Sequence, residues 1–325
     1  MKSIREIFKI GKGPSSSHTI GPERAARLYK NEHPDADGYR VTLYESLSKT
    51  GKGHGTDRVL REVFSPKPTE IIFSEESPAD LPHPNTMDFE ALRGGQATDR
   101  LRVMSIGGGD IRVEGWPWLE SQEVYPENTY AEVEQFLRFR GLSLAEYVAF
   151  NEGEEIWPFL GTIWDTMKNA IEEGIRNEGE LPGGLHILRK AKLLYTRSTE
   201  NELPQVRECR ILSAYAFAVS EQNADCGTIV TAPTCGACGI LPAVLRLPRK
   251  PTITLMKKSG AAWPSPGFSA ISSRKTPPSP ERNAGARRKS APRAPWPLRR
   301  WPIFTATAPI RSSTRRKSPW STISA

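Results

Sequence analysis

Residues 231–242 contain the stretch on which the organisation of the chain depends, Thr-Ala-Pro-Thr-Cys-Gly-Ala-Cys-Gly-Ile-Leu-Pro. Its two cysteines, Cys235 and Cys238, lie three positions apart among glycines and prolines, just after an apolar helical pattern. Glycine lets a backbone approach a bulky ligand, and thiolates in such a turn suit a metal ion or an iron–sulfur cluster. One C-x-x-C pair is only half of a metal site, however. Two small buried side chains in a turn before a helix would give the same pattern.

The placement of cysteines and apolar residues indicates a cytoplasmic protein. All four cysteines of the 325-residue chain lie between Cys209 and Cys238, whereas a secreted disulfide scaffold is short and cysteine-dense. The N-terminus lacks the apolar core and cleavage site of a signal peptide, and no run of about 18 apolar residues could span a membrane. We therefore expect reduced thiols, a cytoplasmic location and no membrane partner.

The basic charge of the chain is concentrated at its C-terminal end. Residues 246–325 carry 18 lysines and arginines and one acidic residue, whereas residues 1–245 carry 27 basic and 36 acidic residues. The same end holds 13 of the 28 prolines and shows no sustained period, so it cannot bury enough apolar surface to fold. We expect a disordered tail or a shifted reading frame. Its clusters of basic residues near tryptophans could bind nucleic acid. Residues 1–245 are acidic, however, and offer no basic surface for it, so nucleic acid is not expected as a partner.

A hydroxyl-rich segment stands directly before a predicted helix near the N-terminus. Pro22 and Glu23 suit the first turn of that helix. Hydroxyls, free N–H groups and the positive end of a helix together predict an anion site. Its candidate residues are Ser15, Ser16, Ser17, His18 and Thr19. The alternative is an ordinary serine-rich turn that caps the helix.

A glycine-rich loop, Thr-Gly-Lys-Gly-His-Gly-Thr-Asp over residues 50–57, precedes a second predicted helix. His54 stands between two glycines, where no neighbouring side chain shields it, and an imidazole can act as a general base near neutral pH. The flanking glycines favour this role over that of an ordinary exposed loop histidine. Thr56 or Asp57 is expected to cap the helix. His83, in a turn, is expected to be structural.

The hydrophobic pattern predicts an α+β protein. Strands are expected over 40–44, 69–73, 101–106 and 111–113, and the last two are joined by a glycine-rich hairpin. From Ser143, which forms a capping box with Glu146, the pattern becomes helical. Residues 211–219 are apolar nearly all round and predict a buried helix, and residues 228–230 resemble a short strand. We therefore expect a mixed α/β domain over 1–140, a truncated all-helical domain over 141–245, and the tail over 246–325.

These motifs resemble those of the iron–sulfur-dependent, PLP-independent L-serine dehydratases. The matching segments are residues 8–22, 44–57, 83–85, 181–184, 219–223 and 231–244, which follow the family's order. The serine–histidine and Gly-His-Gly-Thr-Asp motifs are highly specific, and the resemblance covers residues 1–245. Single-chain members join an N-terminal β-type domain to a helical α-type domain, which fits the change of period near residue 141.

The resemblance implies that L-serine loses its Cα proton and its β-hydroxyl, giving aminoacrylate and then pyruvate and ammonia for amino-acid catabolism and gluconeogenesis. It implies a [4Fe–4S] cluster that acts as Lewis acid on the hydroxyl, with His54 as the base. Residues 15–19 and Thr234 would hold the substrate. Cys238 matches the family's first cluster ligand, and Cys235 adds a second thiol that many members replace with asparagine.

The chain departs from the family after residue 245, since no cysteine follows Cys238 where the family has its remaining cluster ligands. We hypothesise a frameshift, which translation of the coding DNA beyond codon 246 in the other two frames tests. If the sequence stands, Cys209 and Cys226 are the only substitutes, and this copy is expected to be inactive and cluster-free. The alternatives are a non-enzymatic small-molecule-binding or nucleic-acid-binding fragment and a PLP-dependent dehydratase, for which no lysine has a convincing context. A homodimer is the candidate assembly.

Overall fold

The structure is a computed structural model that describes residues 1–76, 78, 80–117, 123–197 and 201–247. The predicted tail over 246–325 lies outside the described residues, apart from Arg246 and Leu247. The described residues form a mixed α/β structure, as the sequence predicts. No helix in this part of the chain is long and apolar enough to cross a membrane.

A five-stranded sheet lies in the first part of the chain. The strands of the described residues are β1 (Ile10–Lys12), β2 (Gly38–Leu43), β3 (Thr69–Phe73), β4 (Thr86–Arg93), β5 (Gln96–Gly107), β6 (Asp110–Val113) and β7 (Thr228–Val230). The sheet has the order β3-β2-β4-β5-β6, in which β2 and β3 are parallel and the other pairs antiparallel. The four predicted strands and the hairpin between β5 and β6 are confirmed.

Strand β4 was not predicted, although its sequence alternates in the manner of a strand. Met87 and Phe89 are fully buried on the covered face. Asp88, between them, is buried as well, because Arg102 and Tyr44 bond its carboxylate at 2.8 and 2.9 Å.

Helices cover one face of the sheet and build most of the later chain. The helices of the described residues are α1 (Gly21–Glu32), α2 (Glu45–Thr50), α3 (Thr56–Phe64), α4 (Tyr130–Arg140), α5 (Leu144–Glu152), α6 (Ile156–Arg176), α7 (Ala191–Thr196), α8 (Pro204–Ala224) and α9 (Ile240–Arg246). Tyr29 of α1 and Phe64 of α3 belong to the same buried cluster as Tyr39 and Phe89 of the sheet. Pro22 lies in the first turn of α1, as predicted.

Two features of the later helices can be compared with the sequence. The capping box is confirmed, since Ser143 Oγ accepts the backbone N–H of Glu146 at 3.2 Å. The prediction that residues 211–219 form a buried helix is confirmed only in part. The helix exists as part of α8, but Phe217 is 41% exposed, because α6 and α7 pack against only part of its surface. The residues after 141 are also not all helical, because β7 lies among them.

A second, two-stranded sheet joins the two ends of the described chain. Ile10 of β1 pairs with Val230 of β7, and Lys12 pairs with Thr228, in antiparallel register. The strand β1 leads into the hydroxyl-rich segment, whereas β7 leads into the cysteine turn. The pairing therefore brings the two most distinctive sequence motifs, more than 200 residues apart, to one place.

Candidate functional site

The hydroxyl-rich segment forms a buried π-helical turn, Ser16–Ile20, that runs directly into α1. Ser15 caps this turn, since its Oγ accepts the N–H of His18 at 3.1 Å. The N–H groups of Thr19 and Ile20 bond the carbonyl oxygen of Ser15 at 3.0 and 3.1 Å. The N–H groups of His18, Thr19 and Ile20 are thus already bonded within the turn. An anion bound here would therefore accept hydrogen bonds from hydroxyls more than from backbone N–H groups.

The side chain of His18 points into the protein and is held at both ring nitrogens. Its Nδ1 lies 2.9 Å from the Oγ of Ser17, and its Nε2 lies 3.0 Å from the Oγ of Ser46 on α2. His18 is only 3% exposed, and its carbonyl oxygen accepts the hydroxyl of Thr56 at 2.5 Å. A hydroxyl can donate or accept, so this arrangement suits either neutral tautomer of the ring.

His54 lies beside His18, at the end of a 3-10 turn over Lys52–His54. Their ring centroids are 4.8 Å apart, so the imidazole is partly shielded, contrary to the expectation of an unshielded ring. Its Nδ1 lies 2.9 Å from the carbonyl oxygen of Thr50. A carbonyl oxygen can only accept, so in the neutral ring Nδ1 carries the proton and Nε2 keeps a free lone pair. This is the form of an imidazole that can take a proton from a substrate.

The predicted helix cap after His54 is wrong. Helix α3 begins at Thr56, and its N-cap is Gly55, which has a left-handed backbone with φ 64° and no side chain to cap the helix. The hydroxyl of Thr56 is instead used for the long-range bond to His18. The Oγ1 of Thr19 donates to the carbonyl oxygen of His54 at 2.8 Å, so each histidine is tied to the segment that carries the other.

The end of α8 closes one side of this region. A Cβ added at Gly13 would lie 2.1 Å from the carbonyl oxygen of Asn223, so only glycine permits the close approach of the two segments. The amide nitrogen of Asn223 donates to the carbonyl oxygen of Pro14 at 3.3 Å, and its Oδ1 is buried without a hydrogen-bond partner in the described part of the chain. Cys226 follows, and its sulfur would lie 3.8 Å from a Cβ at Gly55.

The cysteine turn lies in apolar surroundings on the other side of Ile20. Cys235 and Cys238 are each 2% exposed and share a buried cluster with Ile20 and Val219. Burial raises the pKa of the Cys238 thiol to about 12. Burial, with the neighbouring Cys238, also raises the pKa of Cys235 far above its ordinary value. Both groups are therefore protonated thiols at neutral pH. Thr234 is half-buried at the start of this turn, and its carbonyl oxygen accepts the N–H of Ala237 at 3.2 Å.

The donor set does not fit a cluster that needs three protein thiolates. All four cysteines of the sequence fall within the described residues, where no three or more cysteine, histidine or acidic side chains are grouped to hold a metal ion. Cys209 is exposed on α8, and Cys226 lies beside Gly55.

The sequence analysis found both histidines but missed the groups that orient them. Ser46 and the carbonyl of Thr50 lie in the family-like segment 44–57, yet no role was given to either. Asn223 lies in the segment 219–223 and was also left without a role. Their membership of family-like motifs was the only feature of the sequence that could have drawn notice to them. Which atoms they contact depends on the fold, since Ser46 and His18, for example, are 28 residues apart. His83 is structural, as predicted, since its Nδ1 accepts the N–H of Asn85 at 3.0 Å.

Comparison with known proteins matches both parts of the described chain. The family model for the serine dehydratase beta chain matches residues 3–70, and that for the serine dehydratase alpha chain matches residues 58–258. L-serine dehydratase 2 of Escherichia coli (strain K12) is 32% identical over 75% of this chain and 65% of its own length. The L-serine dehydratase of Haemophilus influenzae is 32% identical over 75% of this chain and 66% of its own length, and that of Streptomyces coelicolor is 32% identical over 75% and 65%. The chain thus spans just under two thirds of the curated relatives it matches. With an alpha-chain match that covers more than half of its residues, the chain belongs to the L-serine dehydratase family.

Proposed function

We propose that the site around His18 and His54 recognises L-serine for dehydration to pyruvate and ammonia. The observation that carries this proposal is the bond between His54 Nδ1 and the carbonyl oxygen of Thr50, which leaves the Nε2 lone pair of His54 available as a base. The relatives named L-serine dehydratase support the choice of substrate.

The roles of the residues follow from their positions. Ser15 is half-buried at the entrance of the π-helical turn, so its hydroxyl, with those of Ser16 and Ser17, is placed to bind the substrate carboxylate. In a complete enzyme the Nε2 of His54 would take the Cα proton. Loss of this proton and of the β-hydroxyl, which leaves as water, gives aminoacrylate, and hydrolysis of its imine tautomer releases pyruvate and ammonia.

We propose further that this copy binds L-serine but does not turn it over. A β-hydroxyl is a poor leaving group, and the [4Fe–4S] cluster that the resemblance implies has no fitting set of three thiols in this chain. No step of the reaction is therefore assigned to a cluster here. Cys235 and Cys238 would be two of its ligands in a chain that supplied the third.

The four cysteines are free, which suits the reducing cytoplasm. A complete enzyme there would feed pyruvate to amino-acid catabolism and gluconeogenesis. The change to a helical pattern near residue 141 supports the division into domains over 1–140 and 141–245. The exposed apolar side chains of α8 and α9 support a homodimer.

Titration calorimetry with L-serine tests the binding site. We expect saturable binding by the full chain and about tenfold weaker binding by Ser15→Ala, because one hydrogen bond to a charged group is lost. The matched control is Ser48→Ala, whose hydroxyl donates to the carbonyl oxygen of Ser74 away from the histidines and should leave the affinity unchanged. Absence of binding by the wild-type chain contradicts the proposed substrate.

Anaerobic reconstitution with iron and sulfide tests the proposed lack of turnover. We expect less than one cluster equivalent of iron per chain and no pyruvate from L-serine. A stoichiometric cluster together with pyruvate formation would show that the four cysteines suffice, and the proposal of an inactive copy would then be wrong while the substrate assignment would stand.

A further inference from the structure

Helix α2 contacts both histidines of the site. Ser46, in its first turn, lies with Oγ 3.0 Å from His18 Nε2. Thr50, its last residue, accepts His54 Nδ1 on its carbonyl oxygen at 2.9 Å. The two contacts are tied together, because the hydroxyl of Thr50 donates to the carbonyl oxygen of Ser46 at 2.7 Å.

We propose that Ser46 is a positioning residue, through which helix α2 sets the orientation of the His18 ring relative to His54. The inference rests on the proposed function, in that it concerns the same pair of histidines. It adds a residue whose hydroxyl contacts the ring of His18 and would act through that ring.

The physical need for Ser46 lies in the freedom of an imidazole ring. The torsion about the bond between Cβ and the ring has broad minima, so one hydrogen bond leaves the ring able to pivot. The Oγ of Ser17 at 2.9 Å holds Nδ1, and the second contact, at Nε2, restrains rotation of the ring about that bond. His18 is 3% exposed, so water cannot readily replace the hydroxyl of Ser46. The ring centroid of His54 lies 4.8 Å from that of His18, so the orientation of the His18 ring determines the surface against which His54 packs.

Helix α2 can serve as a rigid frame because it is anchored at both sides. The N–H of Ser46 donates to the carbonyl oxygen of Pro84 at 3.0 Å, in the His-Pro-Asn turn over residues 83–85. Leu47 is fully buried in the same cluster as Tyr39 and Phe89 of the sheet. The His-Pro-Asn turn thereby gains a role, which is to support the helix that orients the histidines.

The ring nitrogens of the histidines provide a readout that a merely structural serine would not affect. The chain has five histidines, so their ring ¹⁵N signals can be assigned individually. In Ser46→Ala we expect the ring signals of His18 and His54 to change, those of His33, His83 and His186 to stay, and the affinity for L-serine to fall about tenfold. In Ser48→Ala, on the same helix, we expect the two histidine rings to keep their signals.

A second pair of variants keeps the test independent of folding. Ser46→Thr and Ser46→Val have nearly the same shape and differ in the hydroxyl, so Ser46→Thr should retain the wild-type ring signals and Ser46→Val should not. Equal ring signals in these two variants, or unchanged signals of His18 in Ser46→Ala, would overturn the inference. If the rings respond as expected but the wild-type chain binds no L-serine, the positioning role stands and the proposed function fails.

Discussion

Gly55 shows how a single residue determines where the candidate base lies. Its backbone is left-handed, with φ 64°, and it joins the 3-10 turn that ends at His54 to the start of α3. A residue with a side chain adopts this conformation at a cost of roughly 1–2 kcal/mol. The position of the His54 ring therefore depends on the absence of a side chain at the next position.

The substitution Gly55→Ala is expected to lower the free energy of unfolding by about 1 kcal/mol, because the alanine must adopt a left-handed backbone. Urea denaturation measures this change. Gly53→Ala in the same loop is the matched control, since a Cβ there meets no atom within 4 Å. An equal loss of stability in both variants would contradict the role assigned to the left-handed backbone.

The buried thiols predict a sharp difference in cysteine reactivity. Burial raises the pKa of Cys238 to about 12 from an ordinary value of about 9, so the folded chain holds this proton more tightly than the unfolded chain. Its contribution to stability is complete below the ordinary value and is lost as the pH rises toward 12. We expect iodoacetamide at pH 8 to modify exposed Cys209 rapidly, and Cys235 and Cys238 only after unfolding, as peptide mass mapping would show. Rapid modification of Cys238 in the folded chain would be inconsistent with the burial described.

At the scale of elements, local signals in the sequence predicted local structure. Pro22 marked the start of α1, and Ser143 with Glu146 marked that of α5, because each signal acts within one helical turn. The cap of α3 was predicted wrongly, because the hydroxyl of Thr56 bonds His18, 38 residues away. The exposure of α8 was also missed, since an apolar segment does not reveal how much of its surface other elements will cover.

Asp88 stabilises strand β4 through its neighbours in the sheet. Burial alone would raise its pKa, but bonds from Arg102, Arg100 and Tyr44 outweigh this effect and lower it. We expect Asp88→Asn to lower the free energy of unfolding by about 2 kcal/mol at pH 7, because buried charged hydrogen bonds are weakened. A carboxyl group with a lowered pKa gives its stability above the unfolded pKa and loses it as the pH falls through the folded pKa. The difference between wild type and variant should therefore shrink below about pH 4 in urea titrations; a difference that is constant with pH would contradict the charged interaction.

At the scale of the whole molecule, large apolar side chains are exposed in the later helices. They are Leu193 of α7, Val206 and Phe217 of α8, and Ile240 and Val244 of α9. Exposed apolar groups on neighbouring elements favour association with another surface. The chain spans just under two thirds of the length of these relatives.

We expect the full chain to associate with itself through these helices. The double variant Val206→Glu/Phe217→Glu should shift sedimentation toward the monomer, because charge on both side chains opposes their burial. Phe139→Glu on α4 is the control, since Phe139 is 83% exposed and lies outside these helices. Equal effects of the double variant and of Phe139→Glu would show that the association is not specific to α7–α9.

A recognition site for L-serine formed by His18 and His54 can be tested by ring ¹⁵N spectroscopy of the five histidines during titration with L-serine. We expect saturable shifts of His18 and His54, with His33, His83 and His186 as unchanged internal references. Titration with L-alanine, which lacks the β-hydroxyl, is the control and should give weaker binding at the same rings. Rings of His18 and His54 that stay unchanged at saturating L-serine would contradict the claim.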